Sequence, residues 1–135
     1  MSVYQWPGKV YFADTDAAGV VHHSQYLRWL EAARIDYFDH IGFPYENLQA
    51  QKVGFVPCKI QANYHHPLRF ADRFQVYVQL SQLKRASLTL HQPLYKEKKL
   101  IYEASITFAC MNEADWRIIA IPKDIQRALR STETA

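Results

Sequence analysis

The sequence predicts an α+β fold in which one antiparallel sheet curls around a single long helix. Two periodicities and one absence lead there. Apolar residues recur every three or four positions only between residues 26 and 41, whereas from Phe55 onward they alternate with polar ones. No second helix long enough to cover such a sheet is evident, so the sheet has to wrap the helix it has.

Residues 10–12 (Val-Tyr-Phe) read as a first short strand, running into the turn-prone segment Ala13-Asp14-Thr15-Asp16-Ala17-Ala18-Gly19. The helix follows. Tyr26, Leu30, Ala33, Tyr37 and Ile41 form its apolar stripe, and Leu27 and Phe38 widen it. Ser24 is placed as its N-cap and Gly42 as its stop, with Pro44 just beyond. A shorter helical turn is expected over residues 45–51.

Four alternating runs come next. Their apolar phases are Val56, Cys58, Ile60, Ala62, Tyr64; Phe74, Val76, Val78, Leu80; Ala86, Leu88, Leu90; and Tyr102, Ala104, Ile106, Phe108, Cys110. Each reads as a strand with one buried face, which favours antiparallel pairing. Lys96-Glu97-Lys98-Lys99 and Asn112-Glu113-Ala114-Asp115 read as hairpin turns. A last strand is expected within residues 116–121 and a short helix over 122–129, leaving 130–135 as a frayed tail. Such a sheet is short of outer cover, so pairing through a strand edge or the outer face is expected.

The 135 residues fit one domain, 1–135, and a composition of 49% hydrophobic and 21% charged residues is that of a globular chain. A net charge of +3, with its basic residues scattered, argues against nucleic acid. Two cysteines without a CxxC fit a reducing cytoplasm, and both fall on apolar strand phases, so both read as buried and inert. No apolar run suits a signal peptide or membrane insertion, and a cytoplasmic location is expected. His22-His23 and His65-His66 lack metal-ligand spacing, so no metal and no cofactor is expected. Ser24 sits in no G-x-S-x-G and is not read as a nucleophile.

The chemistry concentrates in Asp14-Thr15-Asp16-Ala17-Ala18-Gly19-Val20-Val21-His22-His23-Ser24-Gln25-Tyr26. A carboxylate in a turn ahead of a helix start lies near free backbone N–H groups, which stabilise developing negative charge. The carboxylate can attack a carbonyl or activate a water, and Gly19 admits close approach of backbone to ligand. Asp in such a place is also a common cap or turn former. On residue type alone, both readings stand.

The wider pattern resembles a known family. D-x-D-x-x-G-x-V, with a Tyr seven residues after the Gly, is met by Asp14, Asp16, Gly19, Val21 and Tyr26. Together with LRWLEAARIDYF and GFVPCKIQANYHHPLRFADRF, it is similar to the hotdog-fold acyl-CoA thioesterases of the 4-hydroxybenzoyl-CoA thioesterase type, and most of all to their bacterial Tol–Pal-associated branch. The resemblance implies the hotdog fold, dimers and often tetramers, and sites at subunit interfaces. It implies Asp16 as the catalytic carboxylate, the His23 main-chain N–H as oxyanion donor, and Asp14 as turn former or support. It places Gly19, Tyr26 and Glu31 at the substrate, Glu31 where a relative has an acid facing its acyl ring. It aligns Lys84 and Arg85 with a run that binds coenzyme A phosphates, shortened here because Ala86 takes the third place.

A thioester hydrolase acting on a small acyl-CoA is therefore expected, with Asp16 as nucleophile ahead of Asp16 as general base. An aromatic acyl-CoA thioesterase, for hydroxybenzoyl- or dihydroxynaphthoyl-CoA, is the alternative within the class. A non-catalytic acyl-CoA-binding module is the alternative outside it. An acyl-carrier-protein thioester remains open as substrate.

Overall fold

The computed structural model describes residues 3–132. Its long helix, α1 (Gln25–His40), buries Tyr26, Trp29, Leu30, Ala33, Tyr37 and Phe38. The 3.6-residue stripe thus faces the sheet, as its spacing requires. Gly42, at φ +97°, ends the helix: its N–H bonds to the Asp39 carbonyl, and the Phe43 N–H bonds to the Phe38 carbonyl. That pair of bonds is a Schellman stop, which needs a left-handed residue. A short α2 (Tyr45–Ala50) follows within the expected bounds.

The sheet comprises β1 (Tyr4–Lys9), β2 (Val53–Tyr64), β3 (Arg73–Leu83), β4 (Ser87–Lys96) and β5 (Lys99–Asn112), in the order β1-β3-β4-β5-β2. A two-residue β6 (Arg117–Ile118) pairs with the end of β5, and α3 (Lys123–Arg130) closes the described chain. All strand pairs are antiparallel. Inner-face residues Phe74, Val76, Val78, Leu80, Leu88, Leu90, Tyr102, Ala104, Ile106, Phe108 and Cys110 join the helix stripe in one core. The hotdog architecture is therefore present.

Four expectations need correction. The first strand is Tyr4–Lys9, not residues 10–12: Val10 is buried, but Tyr11 and Phe12 are exposed and lead into a 3₁₀ turn at Phe12–Asp14. Pro7 masked this strand in the sequence, yet β1 is an edge strand where a missing N–H is tolerated. Second, β2 does not bury its apolar phase: from Pro57 to Tyr64 every residue is exposed. Cys58 is consequently exposed, whereas buried Cys110 has its thiol pushed up to about 11 by desolvation and stays protonated. A register shift between Pro57 and Lys59 and the edge position of β2 account for the difference.

Third, Ser24 occupies the N-cap position without capping; its hydroxyl bonds to His22 Nδ1 at 2.8 Å instead. Fourth, the tail is held further than expected, because Thr132 Oγ1 lies 2.6 Å from the Tyr37 hydroxyl. The remainder of that tail, 133–135, lies outside the described residues. No helix of the described residues is long and apolar enough to cross a membrane.

Candidate functional site

The segment between β1 and α1 folds as a small hairpin-like loop. Thr15 bridges Val21, the Asp16 N–H bonds to the Val20 carbonyl at 2.9 Å, and the His22 N–H bonds to the Asp14 carbonyl at 2.9 Å. Gly19 turns the tip at φ +80°, and its N–H bonds back to the Asp16 carbonyl. A second anchor comes from the segment after β2: Val20 bridges Arg69, and the Val21 N–H bonds to the Leu68 carbonyl at 2.8 Å. The segment that follows β2 therefore helps to hold the loop.

Asp14 and Asp16 have different surroundings. Asp14 Oδ2 accepts the Tyr11 N–H at 2.8 Å and closes the 3₁₀ turn, so its carboxylate serves the backbone. Asp16 is exposed at the tip; one oxygen accepts the Ala18 N–H at 2.9 Å. Among the described residues the other oxygen has no partner. The carboxylate thus forms a turn and keeps one oxygen available for chemistry.

His23 stands in the turn just ahead of α1. Its carbonyl accepts the Tyr64 hydroxyl at 2.8 Å, while among the described residues its own N–H has no acceptor. The carbonyl is therefore anchored and the N–H of the preceding peptide group is open. Val21, His23, Tyr26, Tyr64, His65, His66 and Pro67 border an open depression of about 280 Å³ here. Tyr26 belongs to its floor rather than its rim: it is buried and stacks on Tyr102 at 4.7 Å, with Tyr64 edge-on at 5.5 Å. Burial raises the Tyr26 hydroxyl above its ordinary range, so it stays protonated at neutral pH.

Glu31 is exposed on α1, two turns beyond His23. Lys84 and Arg85 are exposed in the β3–β4 turn, held by the Lys84 N–H to the Ser87 carbonyl and the Ile121 N–H to the Arg85 carbonyl. They do not join Asp16 within one chain. Lys9 pairs with Arg73 at the start of β3, so the eleven residues of β3 separate the two places. At about 3.3 Å per residue that is roughly 35 Å.

Sequence reasoning missed three features. Tyr64 was read as an inward strand residue, and its hydrogen bond to the His23 carbonyl has no local signal. Arg69, Lys96 and Lys99 meet His66 around a depression of about 390 Å³ beside the Asp16 loop, with Lys96 paired to Asp72 at 3.0 Å. On the sheet's outer face, His65 and His91 both reach Glu103, at 2.7 and 3.7 Å. Among the described residues no group of three or more His, Cys, Asp or Glu could hold a metal ion.

The sequence and the fold are similar to those of known proteins. Residues 10–129 match the model of the thioesterase-like superfamily. The chain is 32% identical over 125 residues to the acyl-CoA thioester hydrolase YbgC of Escherichia coli O6:H1, covering 92% of this chain and 93% of that one. Its fold superposes on protein TT1821 of Thermus thermophilus with a TM-score of 0.90 at 33% identity, covering 96% and 99% of the two chains. The BH1999 gentisyl-coenzyme A thioesterase gives a TM-score of 0.86 at 27% identity over 93% and 98%.

Proposed function

Because the chain belongs to the thioesterase-like superfamily, we propose that it hydrolyses acyl-coenzyme A thioesters at the Asp16 loop. One observation carries the reading: a carboxylate with a free oxygen shares a loop with a backbone N–H, that of His23, that has no internal acceptor. The identity to an acyl-CoA thioester hydrolase supports it and supports the Tol–Pal-associated branch. The likeness to a gentisyl-coenzyme A thioesterase favours an aromatic acyl group as the second reading.

In the preferred mechanism, an Asp16 oxygen attacks the thioester carbonyl carbon. The His23 N–H stabilises the oxyanion, the C–S bond breaks, and coenzyme A leaves as a thiolate that takes a proton from water. Water then hydrolyses the mixed anhydride and regenerates Asp16. The competitor has Asp16 activate that water directly.

The complete site takes two chains. β2 offers a long, exposed, unpaired edge, with Ile60 46% exposed. Two-fold pairing of that edge with its copy runs the strands antiparallel, so the Val53 end of one lies at the Tyr64 end of the other. Lys84 and Arg85 lie at the Val53 end, since Ser87 pairs with Ala109 and Ala109 with Val56. The partner's basic pair then stands on the same side as the Asp16 loop, placed for the nucleotide phosphates of coenzyme A. Gly19 lets the loop approach the thioester, and Glu31 faces the acyl group.

Asp16→Asn tests the assignment. Hydrolysis is expected to fall at least about hundredfold while melting temperature and circular dichroism hold. Full activity in that variant would remove Asp16 from the mechanism. Single-turnover reaction in heavy-oxygen water separates the two versions: unlabelled first-turnover acid means covalent attack, and labelled acid means activated water.

A further inference from the structure

One exposed aromatic ring sits where the backbone disfavours it. Trp116, in the turn between β5 and β6, is 61% exposed and has φ +56°. That left-handed conformation suits glycine or asparagine, and a bulky side chain there is a steric outlier. Among the described non-glycine residues with positive φ, Trp116 is the only aromatic one. The turn itself does not need the ring. The Trp116 N–H bonds to the Asn112 carbonyl at 2.7 Å, and Asn112 Oδ1 and Asp115 Oδ1 accept the N–H groups of Ala114 and Arg117. A smaller residue would make the same backbone bond with less strain.

Packing does not account for the ring either. Trp6 and Trp29 both lie against Phe74, whereas no ring among the described residues meets Trp116. Other exposed aromatic side chains have local partners: Phe12 stacks on Phe70 at 3.9 Å, and Tyr64 packs on Tyr26 and Tyr102. Both faces of the Trp116 ring are therefore available.

Its surroundings are basic. The Lys84–Arg85 turn and the chain after β6 share the end of β5. The Cys110 N–H bonds to the Ala86 carbonyl at 2.8 Å, and the Cys110 carbonyl accepts the Ile119 N–H at 3.0 Å. The Ile121 N–H bonds to the Arg85 carbonyl at 2.8 Å. Trp116 stands three residues before Ile119, about 10 Å along an extended chain. Lys84, Arg85 and Arg117 are all exposed. The nearby carboxylates are engaged: Asp115 holds the Arg117 N–H, and Glu113 fills the space that a Cβ on Gly54 would take.

An open aromatic face beside cations complements an aromatic base that carries phosphates. We propose that the Trp116 ring is the platform on which the adenine of coenzyme A stacks, with Lys84 and Arg85 facing its phosphates. The proposal rests on the hydrolytic reading above and deepens it, assigning the nucleotide end of the substrate to the β5–β6 turn. In the two-fold pair that turn lies at the Val53 end of β2, since Asn112 pairs with Val53, and it serves the partner's reactive loop.

The test compares an acyl-CoA with the same acyl group on pantetheine, which lacks the nucleotide. The ratio of their kcat/KM values is expected to fall about tenfold in Trp116→Gly, through KM. Trp116→Phe is expected to keep most of the ratio. Because glycine relieves the left-handed strain, the melting temperature of Trp116→Gly should hold or rise. Adenosine 3′,5′-bisphosphate should quench native tryptophan fluorescence saturably, ribose 5-phosphate should not, and Trp116→Phe should abolish the quench. An unchanged ratio in Trp116→Gly overturns the proposal. So does a smaller oligomer of that variant by light scattering, since the ring then belongs to an interface. A native protein without the quench, or a quench that survives in Trp116→Phe, overturns it while leaving hydrolysis intact. If no thioester is hydrolysed, the hydrolytic reading fails and the quench alone decides this one.

Discussion

Tyr64 ties the site to the sheet through one hydrogen bond, from its hydroxyl to the His23 carbonyl at 2.8 Å. Tyr64→Phe removes that bond and leaves the ring on Tyr26 and Tyr102. The His23 peptide then loses its anchor, at a cost of about 1 kcal/mol. Steady-state kinetics should show kcat reduced roughly fivefold, with little change in KM. A larger effect on KM would mean that Tyr64 contacts substrate directly. The turn that carries Asp16 and the helix start beyond His23 were legible because both are local, whereas the roles proposed for the two residues came from the family resemblance. Tyr64 and Gln92 were not legible. Gln92 sits in the inward phase of β4, where polarity alone marks it as outward, and two distant partners on α1, the Leu30 carbonyl and Arg34, explain its burial.

At the scale of elements, α1 shows how far a periodic pattern reaches. Its stripe and its stop at Gly42 are both local, and both are found where the pattern puts them. The stop yields a prediction. Gly42→Ala forces a Cβ into the left-handed region, at a cost of about 1–2 kcal/mol. Nothing lies within 4 Å of the added atom, so the penalty is conformational and not steric. Thermal melting should fall by roughly 3–6 °C with activity retained at low temperature. The strands were less legible. β3 and β5 bury the phase their alternation indicates, because each has neighbours on both sides. β2 carries the same alternation at a sheet edge, and alternation does not say where a strand stands in the sheet. β1 was hidden by Pro7, whose tolerance depends on the same unknown.

At the scale of the molecule, the exposed β2 edge decides whether the proposed site exists. Ile60→Glu places a charge in the centre of that edge. Light scattering should show the native protein as an oligomer and this variant shifted toward the monomer, with hydrolysis lost in parallel. Cys58 reports the same event, being two residues away on the same strand. Its alkylation is expected to be slow in the native protein and fast in the variant, whereas Cys110 stays unreactive in both. Equal oligomeric state and activity in the two proteins would place the interface elsewhere.

The roughly 35 Å that β3 puts between the Asp16 loop and the Lys84–Arg85 turn bears on the life of the chain in a cell. In the proposed two-chain site, a newly released copy carries the reactive end of one site and the anchoring end of another, and it completes neither by itself. Acyl thioesters are shared metabolic currency, and a hydrolase switched on at the ribosome would deplete them indiscriminately. On that proposal latency ends at the first productive encounter between copies, and abundance is expected to set turnover more steeply than in direct proportion when copies are scarce.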